Sequence, residues 1–215
     1  MASCSDPRGC DEVFNVAFAR RLAKRYHRKG LDRTAGRMVE ALTDRGVDGA
    51  TVLEIGGGIG AIQIELLKRG AARTVNVELS SAYEADAAEL LRAAGLTERA
   101  DRRVVDIALT PDVVDSADVV VLHRVMCCYP DYALLLAAAA DHTRRLLVFS
   151  YPPDNLISRL LTGMENLTRR IRRRQFRTFV HDPSRMLALL ADHGLRASVL
   201  HHGAWDVALA ERSTA

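Results

Sequence analysis

The sequence predicts an α/β fold: a doubly wound, mostly parallel seven-stranded sheet with an antiparallel last strand and N-terminal helices. Three observations predict it. From residue 51 onward, short apolar strands alternate with helix-length segments, the pattern of a parallel sheet with crossover helices. The strands are Val-rich and apolar on both faces, as in "ADVVVLH" (117–123), which suits a sheet covered by helices on both sides. The last two, "LRASVLHH" and "AWDVALA", are joined by a short turn at Gly203, so they form an antiparallel pair at one edge.

Taken in order, the first fifty residues read as helix. Val13, Phe14, Ala17, Phe18, Leu22 and Tyr26 recur at helical spacing, and Met38, Val39 and Leu42 share one face of the next segment. Gly46 and "DGA" stop that segment before the first strand, "TVLEI" (51–55). A helix over 60–69 ends at Gly70, "RTVNVEL" (73–79) is the second strand, and a helix over 83–94 ends at Gly95. "RRVVDI" (102–107) is a short third strand and 117–123 the fourth. A helix over 131–142 and the strand "RRLLVFSY" (144–151) follow. Ser184 reads as the N-cap of a helix that Gly194 terminates.

Between them, Leu156, Leu160, Met164, Leu167 and Ile171 fall at steps of four and three and form one apolar stripe. Arg169, Arg170, Arg172, Arg173 and Arg174 crowd its end. The stripe is expected to pack on the sheet with its arginines in water. Two other readings stay open: a lid whose arginines grip an acidic substrate, and an interfacial helix in peripheral contact with a membrane. The expected organisation is a single domain over 1–215, with a helical cap (1–48) and an amphipathic basic insertion (155–180).

Composition sets limits on function. The 215 residues are 48% hydrophobic and 27% charged, enough for one well-buried core and short for two domains. No stretch reaches the length of a membrane span, and "MASCSDPRGCDE" lacks the apolar core of a signal peptide, so a cytoplasmic protein is expected. Cys4, Cys10, Cys127 and Cys128 fit no zinc-finger or ribbon spacing and read as free thiols; a site joining Cys4 and Cys10 to the adjacent pair in space is the alternative. The net charge is only +3, but "RRLAKRYHRK" (20–29) and "RRIRRRQFR" (169–177) each hold six Lys or Arg. Either attracts acidic ligands or is a solvated helix face.

The chemistry is concentrated in "TVLEIGGGIG" (51–60). A glycine-rich turn after a strand lets a ligand lie against bare backbone. Gly56, Gly58 and Ala61 also satisfy the dinucleotide pattern G-x-G-x-x-A. Glu54 separates the two candidates. It would repel a pyrophosphate, whereas S-adenosylmethionine carries an ammonium and a sulfonium and no phosphate. A buried, unpaired acid would cost several kcal/mol, and the sequence suggests no other cation for it. Glu78, at the end of the second strand in "NVEL", stands about twenty residues beyond the turn, where a carboxylate accepts from ribose hydroxyls.

"VLEIGGGIG" followed by "VNVELS" resembles the first two motifs of the class I S-adenosylmethionine-dependent methyltransferases, over roughly residues 48 to 150. The resemblance implies S-adenosyl-L-methionine as cofactor, with Gly56, Gly58 and Gly60 along its methionine part, Glu54 near its ammonium and Glu78 on its ribose. It also implies that Asp106, just after the third strand, lies near the adenine amino group. The layout is loosely similar to small-molecule O-methyltransferases such as those acting on magnesium protoporphyrin. The acceptor would be bound beyond the fourth strand, in "LHRVMCCYPDY", so His123, Arg124, Tyr129 and Asp131 are expected to face the methyl donor. His123 is the candidate general base because its ordinary pKa is near neutrality. Tyr151, in "VFSYPPDN", is a second candidate at the acceptor. The expected reaction is methyl transfer to a small hydrophobic or acidic molecule, most simply at oxygen. The alternatives are a nucleic-acid methyltransferase, an NAD(P)-dependent reductase and a non-catalytic cofactor-binding protein.

Overall fold

The computed structural model describes residues 9–213. Its strands are β1 (Thr51–Ile55), β2 (Arg73–Glu78), β3 (Ala100–Val104), β4 (Ala117–Leu122), β5 (Thr143–Tyr151), β6 (Leu195–His201) and β7 (Asp206–Arg212). They form one sheet in the order β3-β2-β1-β4-β5-β7-β6. β7 runs antiparallel to β5 and β6, and the other four pairings are parallel. The fold is a Rossmann-like, doubly wound sheet with a reversed last strand. Chain order reverses between β1 and β4, so the loops that follow these two strands diverge and open a crevice at their carboxyl ends.

The helices are α1 (Cys10–Val13), α2 (Val16–Lys29), α3 (Arg33–Asp44), α4 (Ala61–Lys68), α5 (Glu84–Ala93), α6 (Tyr132–Asp141), α7 (Leu156–Ile171) and α8 (Pro183–Asp192). Alternation along the strands builds two cores. Leu53, Val120, Leu122 and Phe149 meet Leu136 of α6 and Met186 and Leu190 of α8. Val52, Val119, Val121 and Val148 meet Met38 and Leu42 of α3 and Ile64 and Leu67 of α4. With both faces covered, the strands have no polar side to spare, which explains their near-continuous Val and Leu. Among the described residues, no helix is long and apolar enough to cross a membrane.

Four local details differ from the sequence reading. The first helical face is broken at Asn15, whose side chain leaves the helix and accepts from Phe18 N at 3.1 Å to cap α2. β3 starts and ends earlier than expected: its ladder with β2 closes where Glu78 pairs with Val104, Val105 N still donates to Glu78 O at 2.9 Å, and Asp106 lies in the loop. The cap of α8 is Asp182 rather than Ser184. Pro183 occupies the first helical position, where no N–H is needed, and Asp182 accepts from Ser184 N at 2.9 Å.

The fourth difference is the largest. The apolar stripe of α7 does not pack on the sheet; Leu156, Leu160, Met164, Leu167 and Ile171 are all exposed. The polar face is the one held to the protein, through Asn166, which donates to Thr178 O (2.7 Å) and accepts from Thr178 N (3.0 Å).

Candidate functional site

A cavity of about 470 Å³ lies at the carboxyl ends of β1, β2, β3 and β4, walled by Gly56, Gly57 and Gly58, by Glu78 and Leu79, by Asp106 and Ile107, and by His123 and Arg124. Its size is that of a nucleoside-like ligand site. The glycine turn makes the floor. Gly56 and Gly58 hold φ of 67° and 55°, a region that side chains disfavour. At Gly57 a Cβ would stand 2.7 Å from Glu54 Oε2 and against the Asn76 amide, so only bare backbone fits between the wall and the carboxylate behind it.

Glu54 is 2% exposed and yet borders the cavity. Its Oε2 accepts from Gln63 N (3.1 Å) and from Asn76 Nδ2 (3.3 Å). The first bond has a local reason. Gly60 occupies the N-cap position of α4 without a side chain to offer, and Glu54 supplies the acceptor that the helix start needs. Oε1 has no protein partner among the described residues. Burial pushes the Glu54 carboxyl up to about 7, against the pull of Arg102 and the two donors.

Arg102, on β3, is a cation the sequence reading did not find. Its guanidinium is committed elsewhere, to Glu84 (2.8 Å) and to Gly58 O (2.7 Å), where it braces the glycine turn from outside. Glu54 therefore remains without a direct ion pair among the described residues.

Glu78 takes the second turn in hand. Its Oε2 accepts from Gly58 N (2.9 Å), and Oε1 accepts from Leu79 N (2.8 Å) and Ser80 N (3.2 Å). Burial raises its pKa although these three N–H groups favour the charged form. Asp106 accepts from Tyr129 Oη at 3.1–3.2 Å and from Ala108 N at 3.1 Å, which fixes the loop after β3 beside the cavity.

On the opposite side, His123 Nδ1 meets Ser150 Oγ (3.0 Å) and Nε2 meets Asp32 Oδ2 (3.4 Å). Asp32 caps α3 with its other oxygen, bonded to Thr34 N and Ala35 N at 3.0 Å each. It also pairs with Arg124 at 3.2 Å. Burial opposes ionisation of Asp32, but these donors outweigh it and hold the carboxyl well below the usual range. Arg124 adopts φ of 58°, rare for a residue with a side chain. Its N–H donates to Ser150 Oγ (2.9 Å) and its guanidinium stacks over Trp205, so the loop after β4 is pinned at both ends. The roof is apolar and aromatic: Phe14, Phe18, Leu22 and Phe176, with Arg25 and Arg169 at its margin. Phe14 and Phe176 meet edge to face at 5.2 Å, closing the N-terminal helices onto the segment after α7.

Of the residues expected at the site, Glu54, Gly56, Gly58, Glu78, Asp106, His123, Arg124 and Tyr129 are brought to this one cavity. Gly60 lies behind it at the start of α4, and Gly57 takes its place in the wall. Asp131 caps α6 through Leu134 N (3.1 Å) instead of facing the cavity. Tyr151 is 2% exposed within the core, beside Phe149, and is not on the cavity wall. Cys127 and Cys128 share the wall as free thiols, Cys10 stands on the same wall, and Cys4 lies outside the described residues. Among the described residues no group of three or more His, Cys, Asp or Glu could hold a metal ion. Asp32 was overlooked as a site residue, although "LDRT" carries an evident helix-cap signal.

Residues 53–146 match a family model described as a methyltransferase domain. The structure is similar to magnesium protoporphyrin IX methyltransferase from Synechocystis PCC 6803 with bound SAH, at a TM-score of 0.72 and 19% identity, over 94% of this chain and 97% of that one. It is similar to an O-methyltransferase family protein from Burkholderia thailandensis (TM-score 0.70, 18% identity), over 93% of this chain and 62% of that one. It is also similar to human N-acetylserotonin methyltransferase in complex with SAM (TM-score 0.67, 16% identity), over 100% of this chain and 61% of that one. The chain thus spans about three-fifths of the last two proteins. No curated protein matches the sequence.

Proposed function

We propose that this chain, whose residues 53–146 match a methyltransferase-domain model, uses S-adenosylmethionine to methylate an oxygen of a small molecule with an apolar body. The observation that carries this reading is the meeting, in one cavity, of a buried carboxylate behind a glycine turn with an aromatic roof edged by arginines. Bound S-adenosylmethionine supplies a methyl group activated by its sulfonium charge.

The chain's own residues divide the remaining work. Glu54 offers Oε1 to the ligand's ammonium, and the bare backbone of Gly56 and Gly58 lies along its methionine part. Gly60 acts at one remove by starting α4. Glu78, held in place by three N–H groups, presents its carboxylate to the ribose hydroxyls. Asp106, steadied by Tyr129, meets the adenine amino group. Glu54 beside the glycine turn would repel the phosphates of a dinucleotide, which disfavours a reductase. The apolar roof suits a hydrophobic acceptor, and Arg25 and Arg169 suit one that also carries an acidic group.

His123 is the proposed proton acceptor, on a condition that the geometry imposes. Ser150 Oγ accepts from Arg124 N–H and can accept from Nδ1–H as well, and that tautomer leaves the Nε2 lone pair for the acceptor hydroxyl. The hydroxyl must then replace the 3.4 Å contact to Asp32. The position of Tyr151 supports no part for it at the acceptor.

The test is calorimetric titration with S-adenosylmethionine, S-adenosylhomocysteine and NADH, followed by methyl-transfer assays on apolar phenols and carboxylic acids. The first two ligands are expected to bind and NADH is not; binding of NADH alone would sink the reading. With an acceptor in hand, His123→Gln should lower turnover by about 10²–10⁴-fold and leave cofactor affinity within about threefold. Unchanged turnover would reduce His123 to a clamp on Asp32.

A further inference from the structure

We propose that α7 is a docking element for an anionic lipid surface. Half of the fourteen exposed large hydrophobic residues among those described lie on this one helix, and none of its residues is buried. Leu156, Leu160, Met164, Leu167 and Ile171 are 58–82% exposed. At about 100° per residue they fall within an arc of roughly 80°, a continuous apolar ridge.

The helix is mounted with that ridge outward. Its opposite face is bound to the protein through the two Asn166–Thr178 bonds, through Arg169 Nη1 to Thr178 Oγ1 at 3.2 Å, and through Arg169 stacked on Phe176. Ordinary amphipathic helices do the reverse, and a ridge of this kind marks a surface that meets something other than water.

Charge selects the occupant. Residues 155–177 contain seven arginines and one acid, Glu165. Arg159 and Arg169 are paired with Asp154 and Glu165. Arg170, Arg172 and Arg174 are exposed and form no ion pair among the described residues. An apolar ridge beside unpaired guanidinium groups is the pattern of a helix lying in a lipid interface, where the ridge enters the acyl boundary and the cations meet anionic headgroups. A second copy of the chain would bring the same arginines without the acids to answer them. Glu165 and Arg169 line the cavity from the inner side of α7, so docking places the cavity beside the bilayer. The proposal does not rest on the reaction proposed above.

Co-sedimentation with vesicles tests it, using phosphatidylglycerol mixed with phosphatidylcholine against phosphatidylcholine alone. Partition onto the anionic vesicles should be at least about tenfold stronger and should weaken with salt. Two variants are compared: Leu160→Ser with Leu167→Ser, and Arg170→Gln with Arg172→Gln and Arg174→Gln. Each should reduce partition by about tenfold or more. All five side chains are exposed, and circular dichroism with a thermal melt confirms that each variant is folded. Absence of binding to anionic vesicles, equal binding to neutral ones, or undiminished binding by either folded variant would overturn the proposal. So would a dimer in sedimentation velocity that Leu160→Ser with Leu167→Ser converts to monomer, since the ridge would then be a protein interface.

Discussion

Replacing Glu54 by Gln should stabilise the ligand-free protein at pH 8 and weaken its grip on the cofactor. The carboxyl is raised from an ordinary 4.5 to about 7 in the folded state. Between these two values the folded chain holds a proton that the unfolded chain has lost, so stability falls as pH rises through this window and levels off above it. At about 1.4 kcal/mol per tenfold change in proton affinity, ionising Glu54 costs the folded state about 3 kcal/mol by pH 8. Gln has no proton to lose. Its carbonyl can keep the bonds from Gln63 N and Asn76 Nδ2 while its amide turns toward the cavity.

The stability of Glu54→Gln relative to wild type should therefore grow by up to about 3 kcal/mol between pH 5 and pH 8, or roughly 6–12 °C in melting temperature for a chain of this size. Urea unfolding at both pH values, without ligand, measures it. Saturating S-adenosylhomocysteine should erase the trend, because an ammonium beside Oε1 favours the ionised form. Its affinity for wild type should weaken up to about tenfold per pH unit below 7 and be flat above it. The variant should bind about 10–100-fold more weakly at pH 8, the worth of a charge-assisted bond. A stability difference that ignores pH would refute the argument that burial governs Glu54, and undiminished affinity would refute its contact with the ligand.

Three further outcomes follow from the same geometry. Gly57→Ala forces a Cβ onto Asn76 and Glu54 Oε2; titration should show at least about a 100-fold loss of S-adenosylhomocysteine affinity, with far-UV dichroism unchanged. Asp32→Asn keeps the cap of α3 but loses the ion pair to Arg124. It should cost about 1–2 kcal/mol at pH 7. Since the Asp32 carboxyl is held below the ordinary range, that contribution is present above about pH 4 and lost as pH falls further, so wild type and variant should converge in acid denaturation. Phe149→Ala empties the centre of β5, where the ring is fully buried; the urea midpoint should report a loss of about 3–5 kcal/mol.

The fold and much of the site were legible because their signals are local. Alternating Val-rich strands and glycine-stopped helices need no partner to be recognised, and Glu54, Gly56, Gly58 and Glu78 stand at strand ends that a parallel sheet must bring to one edge. Asp32, Arg102 and Ser150 were not legible as site residues. They reach the cavity or its supports from α3, β3 and β5, across separations of 91, 44 and 27 residues. Nothing in their immediate neighbours records those contacts.

The order of elements, the glycine turn with its acid, and the existence of an apolar stripe over 156–171 are readable from neighbouring residues alone. Periodicity and turn chemistry are properties of neighbouring residues, so they survive without a fold. Which way each face points was decided only in three dimensions. Tyr151 went into the core and Asp131 to a helix cap, because those sites satisfied their bulk and charge locally. The stripe of α7 was turned outward because Asn166 and Arg169 found Thr178 and Phe176 on the protein side. A helix has one apolar face whether it meets a core or a membrane, and only the partners of its polar face settle which.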